Sequence, residues 1–335
     1  METMSRPPIV PMLPRTLYLE TTNRCDSKCQ TCIRTFQTLE PPRDLTLAEV
    51  QRLLEQVPSV ERVVLHGIGE PLLNPQIFDI VAYIKTRGVA VLFNSDAISL
   101  TPRRAERLIA CGLDEYRVSM DAATRETYAR IRGVDQFARV VRNVASLLTL
   151  QHQHGSLTPH VSLWFTTLQA NLSELPDFVR LAVQLGVSEV NAQRLVFYGQ
   201  GLAVPEQSLH RRLEAHQQQL LSEAENLAQH YGIVFKASGA TTPLVSLNGT
   251  TDAQRPWSGC QRPWTLSYVT ANGNVLPCCI SPWTTKNYRH LVLGNAFTED
   301  FAHIWNGQRY QQFRQDFESA EAPDPCRGCG WLWSF

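Results

Sequence analysis

Three cysteines lie close together near the N-terminus, in the sequence "ETTNRCDSKCQTCIRTF". They are Cys25, Cys29 and Cys32, spaced C-x3-C-x2-C, and we call them the first cysteine group. Thiolates are soft ligands that suit zinc and iron–sulfur clusters. A structural zinc ion normally takes four protein ligands, so these three would need a distant fourth residue to complete a zinc site. On a four-iron cluster, three thiolates leave one iron open to a small molecule, and the spacing favours this chemistry.

Four more cysteines, which we call the C-terminal cysteine group, occur late in the chain: Cys260, Cys278, Cys326 and Cys329. Gly273 lies between the first two, in the pattern C-x12-G-x4-C, and the last two form C-x2-C. Four thiolates can fully ligate one iron–sulfur cluster or hold a structural zinc ion, and the spacing alone allows both. Cys279, beside Cys278, is interpreted as a structural residue or an alternative ligand.

Composition limits where this protein acts. The 335 residues include 31 Lys and Arg against 31 Asp and Glu, so no general attraction to nucleic acid or anionic membranes is expected. No apolar run is long enough to span a bilayer, and prolines interrupt the N-terminal "METMSRPPIVPMLPR", which excludes a secretory signal. We therefore expect a cytoplasmic protein, in whose reducing environment clustered cysteines bind metal or do chemistry.

Short apolar runs that predict strands alternate with stretches of helical periodicity. The predicted strands lie at 16–20, 62–66, 89–94, 115–120, 161–166 and 189–195. The first helix is predicted after Thr46, with Glu49 completing a capping box. This alternation predicts an α/β fold with a parallel sheet. Six units are too few for a closed eight-unit barrel, so we predict a partial (β/α)6 TIM-type barrel.

The second half of the chain predicts different elements. A long helix is expected from Pro205 to Tyr231, followed by a linker rich in Gly, Ser, Thr and Pro. The segment "LSYVTANGNVLPC" predicts a β-hairpin that turns at Asn272 and Gly273 and belongs to a small cysteine-rich C-terminal extension. The predicted units are a barrel at 14–200, a helix and linker at 201–255, and the extension at 256–335.

Active sites of α/β barrels lie in the loops that follow the strands. The first cysteine group follows the first predicted strand, and this arrangement resembles the radical S-adenosylmethionine (SAM) superfamily. "HGIGEPLLNP" resembles the Gly-Gly-Glu motif of that superfamily, which implies that Gly67, Gly69 and Glu70 lie where main-chain groups hold the SAM amino group. Two departures are Thr31, where many members have an aromatic residue, and Ile68 between the glycines.

Later loops match the superfamily in order, and the resemblance covers roughly residues 14–197. "FNSDA" resembles the loop after the third strand and implies a cofactor contact for Asn94. "VSMD" implies SAM ribose or carboxylate contacts for Ser119 and Asp121, although both could instead cap a helix. Arg132, with Arg194 as a second candidate, is implied to pair with the SAM carboxylate, although Arg132 could equally be a solvated helix residue.

The pattern of the C-terminal cysteine group resembles the SPASM or Twitch extension of this superfamily. The resemblance implies that Cys260, Cys278, Cys326 and Cys329 hold an auxiliary four-iron cluster, with four-thiolate zinc as the alternative. Implied cofactors are therefore two four-iron clusters and SAM, and the implied protein partner is a reductant such as flavodoxin or ferredoxin.

The resemblance implies reductive cleavage of SAM to a 5′-deoxyadenosyl radical that removes a hydrogen atom from a substrate. A one-cluster extension suggests oxidation of a small molecule, with the auxiliary cluster as electron acceptor. The alternative is a maturase that modifies a ribosomal peptide or a partner protein. Because the first strand begins at about residue 16, a peptide leader would need a separate binding protein. A non-enzymatic metal scaffold would cleave no SAM. The sequence singles out no catalytic acid or base.

Overall fold

The computed structural model describes residues 6–209, 213–238, 241–248, 255, 257–327 and 329. Its centre is one ten-stranded sheet in the order β10-β9-β8-β1-β2-β3-β4-β5-β6-β7. Strands β1 to β7 are all parallel and neighbour one another in chain order. The strands are β1 Thr16–Leu19, β2 Arg62–Leu65, β3 Ala90–Ser95, β4 Glu115–Ser119, β5 His160–Thr166, β6 Glu189–Gln193, β7 Val234–Ala237, β8 Leu266–Val269, β9 Asn274–Leu276 and β10 Gly294–Asn295.

Helices connect the parallel strands. The predicted capping box of Thr46 and Glu49 is confirmed at the start of α1. None of the helices in the described ranges is long and apolar enough to cross a membrane. The helices are α1 Leu47–Gln56, α2 Ile77–Thr86, α3 Pro102–Ala110, α4 Arg125–Arg132, α5 Phe137–His154, α6 Leu175–Leu185, α7 Ala215–Tyr231, α8 Pro243–Asn248, α9 Arg262–Thr265, α10 Tyr288–Leu291, α11 Phe301–Trp305, α12 Gln308–Glu318 and α13 Asp324–Arg327.

The two faces of the sheet differ in polarity. Along β4, Tyr116 and Val118 are buried in the hydrophobic core, whereas Glu115 and Arg117 line a cavity. Successive residues of a strand point to opposite faces, so one strand can serve both environments. The described sheet is not closed, because its order ends at β7 on one side and at β10 on the other. The predicted partial α/β barrel is confirmed.

The structure adds a seventh parallel strand, β7, which the sequence analysis assigned to the helix-and-linker segment. The run "VFKA" is short, and Lys236 interrupts its apolar pattern. The predicted helix from Pro205 to Tyr231 was too long, because Pro205–Gln207 is a separate 3-10 helix and α7 begins at Ala215. Ser208 is extended, which prevents one continuous helix.

The predicted hairpin with its turn at Asn272 and Gly273 is confirmed as β8 and β9. Gly273 has φ +86, a left-handed conformation that glycine adopts without strain. The sequence did not indicate that β8 would pair in parallel with β1, with Leu17 opposite Ser267. The C-terminal region therefore extends the core sheet instead of folding beside it.

Glu20, directly after β1, connects this hairpin to the core. Its carboxylate accepts hydrogen bonds from the Tyr268 hydroxyl at 2.7 Å and from the Ile68 backbone N–H at 2.9 Å. The carboxylate is buried, and burial raises the pKa of Glu20 to about 7. Folding thus keeps an ionisable group in a place that favours its neutral form.

We expect Glu20→Gln to change the pH dependence of stability. The pKa of Glu20 is about 7 in the folded protein, against about 4.3 in an unfolded chain. Because the folded value is higher, the stabilisation is complete below the unfolded value and is lost as the pH rises through 7. Between pH 6 and pH 8 the unchanged protein should lose about 1 kcal/mol more unfolding free energy than the variant. Urea unfolding at both pH values measures this loss, and identical pH dependence would contradict it.

Candidate functional site

The first cysteine group follows β1 in a loop that α4 holds in place. The backbone N–H groups of Lys28 and Gln30 donate to the carbonyl oxygens of Arg132, at 3.1 Å, and Ile131, at 2.7 Å. Within the loop, the Thr35 hydroxyl donates to the Cys29 carbonyl oxygen at 2.8 Å. The three thiols are thus carried by a loop with fixed backbone contacts at the carboxyl edge of the sheet.

The three sulfur atoms are spread wider than one metal ion requires. Within the described ranges, the donor set compact enough for a single ion is Cys25, Asp26 and Asp96, whose ligand atoms lie within 4.8 Å of one another. Burial raises the pKa of Cys25 and that of Cys29, the latter to about 12. Metal binding must therefore release protons from these thiols. The three thiols therefore do not form a compact site for a single ion, whereas a four-iron cluster is larger than one ion.

Buried polar atoms without a hydrogen-bond partner surround the same loop. They include Asp26 Oδ1, Tyr128 Oη, Arg132 Nε and Tyr198 Oη. Tyr128 and Arg132 lie on α4, which holds this loop, and the ring of Tyr198 lies 6.0 Å from the ring of Phe36, centre to centre. Buried polar groups in proteins are normally paired. These atoms therefore indicate a polar ligand at the first cysteine group, as an iron–sulfur cluster with SAM would be.

Asp121 and Arg132 form a buried ion pair at 2.9 Å. Asp121 also accepts a hydrogen bond from the Thr166 N–H at 2.6 Å, and its φ of +62 is unusual for a residue with a side chain. The N-cap of α4 is Thr124, so neither Ser119 nor Asp121 caps this helix. Arg132 is 9% exposed, which excludes the solvated alternative. The pair holds a guanidinium group beside Cys29.

The glycine motif brings the loop after β2 against the segment before the first cysteine group. A Cβ on Gly69 would overlap the Thr22 carbonyl group and lie 2.6 Å from the Arg24 carbonyl oxygen. Glu70 is buried and accepts hydrogen bonds from the Ser95 hydroxyl and the Asp96 N–H, both at 2.8 Å. These contacts position the neighbouring loops, and the Glu70 carboxylate is hydrogen-bonded to groups of the protein itself.

We expect Gly69→Ala to weaken SAM binding by about tenfold or more and to lower the iron content, because overlap with backbone cannot be relieved by rotating a side chain. The displaced carbonyl of Arg24 directly precedes Cys25. Gly88→Ala is the control: its φ of +71 strains an alanine locally, but no atom lies within 4 Å of the added Cβ, so no neighbouring loop is displaced. Iron analysis and equilibrium SAM binding measure the effect. Equal values for the two variants would contradict the assignment.

Asp96 is a site residue that the sequence analysis missed. Its carboxylate accepts a hydrogen bond from the Ser27 hydroxyl at 2.7 Å and lies 3.9 Å from the Cys25 sulfur. Burial raises the pKa of Asp96 to about 6. Asn94, predicted from the same loop as a cofactor contact, lines the cavity. The first acidic residue after a parallel strand is the signal that could have identified Asp96.

The structure brings the C-terminal cysteine group together. Burial, together with the neighbouring Cys279, Cys260 and Cys329, raises the pKa of Cys278 to about 12. Cys326 lies on α13, and its pKa is raised by burial and then by Cys278, Cys329 and Cys260. Cys260 precedes α9 and Cys278 follows β9, so three separate segments converge. Cys279 lies next to the group and lines the cavity.

Residues before β1 hold the loop of Cys260. The Arg6 guanidinium donates to the carbonyl oxygens of Cys260, at 2.6 Å, and Ser258, at 2.9 Å, and pairs with Glu318. It also lies 4.2 Å from the ring centre of Trp264, a cation–π contact. The N-terminal segment therefore supports the C-terminal cysteine group.

We expect Arg6→Ala to lower the iron held by the C-terminal cysteine group, because two carbonyl oxygens and Glu318 lose a charged donor. Iron at the first cysteine group should stay unchanged. Arg15→Ala is the control, since Arg15 pairs with Glu61 at the exposed surface. Iron analysis with EPR spectroscopy separates the two sites. Full iron content in Arg6→Ala would contradict the supporting role.

A cavity of about 650 Å³ lies over the polar face of the sheet. Its walls include Tyr18, His66 and Trp164, and Cys279 and Cys329 also line it. His66 stacks on Trp283 with ring centres 5.3 Å apart, and burial lowers the pKa of His66 to about 4. The cavity is therefore lined by aromatic and polar groups and reaches the C-terminal cysteine group.

Arg194, the second candidate for pairing with the SAM carboxylate, lines this cavity. Cys329 and Arg262 are among the groups that act on it, and its guanidinium donates to the Ser246 hydroxyl at 3.3 Å. Arg132 is the arginine beside the first cysteine group. The structure thus separates two arginines that the sequence analysis treated as alternatives.

Comparison with known proteins identifies the family. The family model described as "Radical SAM superfamily" matches residues 19–158, and the model described as "Iron-sulfur cluster-binding domain" (SPASM) matches residues 260–330. An AdoMet-dependent heme synthase of Methanosarcina barkeri is 26% identical, covering 94% of this chain and 91% of that protein. A PqqA peptide cyclase of Gluconobacter oxydans is 24% identical, covering 96% and 84%.

Solved structures share the fold. Streptococcus suis SuiB bound to S-adenosylmethionine superposes with a TM-score of 0.72 at 16% identity, covering 96% of this chain and 71% of SuiB. The structure of anSMEcpe with bound AdoMet and the Cp18Cys peptide has a TM-score of 0.63 at 12% identity, covering 95% and 86%. The chain belongs to the radical SAM superfamily and is an enzyme with a C-terminal SPASM domain, and its cofactors are SAM, a four-iron cluster and auxiliary iron–sulfur clusters.

Proposed function

We propose that Cys25, Cys29 and Cys32 hold the SAM-binding cluster and that the C-terminal cysteine group holds an auxiliary four-iron cluster. The unpartnered polar atoms around the first group and the convergence of the second support these assignments. We also propose that the chain divides into three units, at 14–200, 201–255 and 256–335. A flavodoxin or ferredoxin is the proposed reductant.

The observation that carries the proposed function is the position of the cavity. Its walls include His66, directly before the glycine motif, together with Cys279 and Cys329. A substrate held there would lie between the SAM site and the auxiliary cluster. When bound, the cluster and SAM supply a 5′-deoxyadenosyl radical that can remove a hydrogen atom from carbon. Walls such as Trp164 and Tyr18 would orient the substrate and exclude water from the radical.

Within this site, Arg132 is proposed to pair with the SAM carboxylate. Its guanidinium is fixed by Asp121, and its Nε has no partner among the described residues. Backbone groups of the Gly67–Glu70 loop are proposed to hold the amino group of SAM. Ser119 and Asn94, at the carboxyl ends of β4 and β3, complete the proposed contacts.

The proposed reaction is oxidation of a small polar molecule, with the auxiliary cluster as electron acceptor. A cavity of about 650 Å³ with polar walls suits such a substrate. The second candidate is a peptide residue, favoured by the names of two relatives: PqqA peptide cyclase and the mycofactocin maturase MftC of Mycobacterium ulcerans, the latter 26% identical and covering 95% of this chain and 80% of that protein.

Label transfer separates the two candidates. Extract of the native host, grown on deuterated medium, is divided at about 1 kDa, and each fraction is added to the anaerobic enzyme with SAM and reductant. Deuterium in 5′-deoxyadenosine from the small fraction supports small-molecule oxidation. Deuterium from the large fraction alone, lost after protease treatment, supports the peptide. SAM cleavage without label transfer from either fraction would contradict both.

A further inference from the structure

Two arginines from distant parts of the chain line the same cavity as Cys329 of the C-terminal cysteine group. Arg194 directly follows β6, whereas Arg262 begins α9, two residues after Cys260. Both line the cavity together with Cys279 and Cys329. The cavity wall therefore combines two guanidinium groups with thiols.

The two guanidinium groups are close enough to influence each other. The pKa of Arg194 is lowered, first by burial and also by Arg262, while Cys329 opposes this shift. Arg262 lies two residues after Cys260 and lines the cavity together with Cys279 and Cys329. Like charges at a buried place are stable only with negative charge nearby.

The carboxylates of the cavity do not supply this charge to Arg262. Glu115 pairs with Arg117 at 2.6 Å, and Glu189 pairs with Lys236 at 2.9 Å. In the part of the chain that the structure describes, no salt bridge joins Arg262 to a carboxylate. The groups near Arg262 that can supply negative charge are the cysteines, with Cys260 two residues before it and Cys329 in the same cavity wall, whose thiols lose their protons on binding a cluster.

We propose that Arg194 and Arg262 raise the reduction potential of the auxiliary cluster and so favour its acceptance of an electron from the substrate. This inference rests on the proposed function. An oxidised four-iron cluster with four thiolates carries a formal charge of minus two, and one added electron makes it minus three. Two nearby positive charges balance the oxidised cluster and attract the added electron.

One electron and one proton leave the substrate radical in this oxidation. After hydrogen-atom removal, the substrate carbon radical gives one electron to the cluster and one proton to water, which leaves an oxidised product. A one-electron carrier protein of the flavodoxin or ferredoxin class then takes the electron from the cluster. The arginines take no part in bond making; they are positioning residues that act through the cluster.

The test is an EPR-monitored redox titration of the reconstituted full chain. The auxiliary signal is assigned with the triple alanine variant of the first cysteine group. Arg262→Met removes the charge and keeps the length of the side chain, and we expect the reduction equilibrium constant to fall at least tenfold, a shift of about 59 mV to lower potential for a one-electron couple. Arg262→Lys keeps the charge and should stay near the unchanged protein.

Two further variants complete the test. Arg194→Met should lower the potential in the same direction, and the double variant should lower it further. Arg180→Met, at the exposed surface of α6, should have no effect. An unchanged potential in the double variant would overturn the inference. If Arg262→Met fails to assemble the cluster, the result for Arg194→Met decides.

The outcome is distinguishable from failure of the proposed function. The titration uses neither SAM nor substrate, so a wrong substrate class leaves it unaffected. Two results would overturn the cluster assignment and this inference together. One is zinc at the C-terminal cysteine group. The other is an auxiliary signal that disappears only when the first cysteine group is mutated.

Discussion

Replacing Cys25, Cys29 and Cys32 together by alanine is expected to remove about half of the bound iron and to abolish reductive SAM cleavage. The unchanged protein should bind about eight irons in two four-iron clusters after anaerobic reconstitution. Only the first group leaves an iron open for SAM, since the other group has four thiols. The measurements are iron per chain and 5′-deoxyadenosine formed with reductant.

Cys111→Ala is the matched control for this triple variant. Cys111 ends α3, its thiol donates to the Leu108 carbonyl oxygen at 3.3 Å, and it belongs to neither cysteine group. The control should keep its iron and its SAM cleavage. Normal SAM cleavage by the triple variant would disprove the assignment of the first group.

Replacing Cys326 and Cys329 by alanine is expected to leave the first cluster and substrate-independent SAM cleavage intact while the oxidised product disappears. Cys329 lines the cavity, so the cluster that it would ligate lies next to the proposed substrate position. Without that cluster, the substrate radical forms but has no electron acceptor, and a quenched by-product should accumulate.

Deuterated substrate makes this outcome measurable. Label should still enter 5′-deoxyadenosine in the variant, while product yield falls to the background level. A normal product yield would rule out the electron-acceptor role. Zinc in place of iron at this group in anaerobically purified protein would rule out the auxiliary cluster itself.

Much of the fold was predictable because its signals are local. Six of the seven strands in the parallel run β1 to β7, the capping box at Thr46 and the hairpin turn at Gly273 each depend on a few neighbouring residues. The spacing of Cys25, Cys29 and Cys32 is equally local, so it indicated the chemistry directly. The strand β7 was missed because four residues carry too weak a periodic signal.

Contacts between distant segments could not be predicted from one sequence. The sequence by itself determined the radical SAM chemistry, the strand–helix alternation and the two cysteine groups. Only the tertiary structure decided that β8 pairs with β1, that Arg6 supports Cys260, and that Arg194 lines the same cavity as Arg262. The physical reason is that pairing, burial and charge compensation depend on which surfaces meet, and residues far apart in the chain leave no periodic pattern that records their meeting.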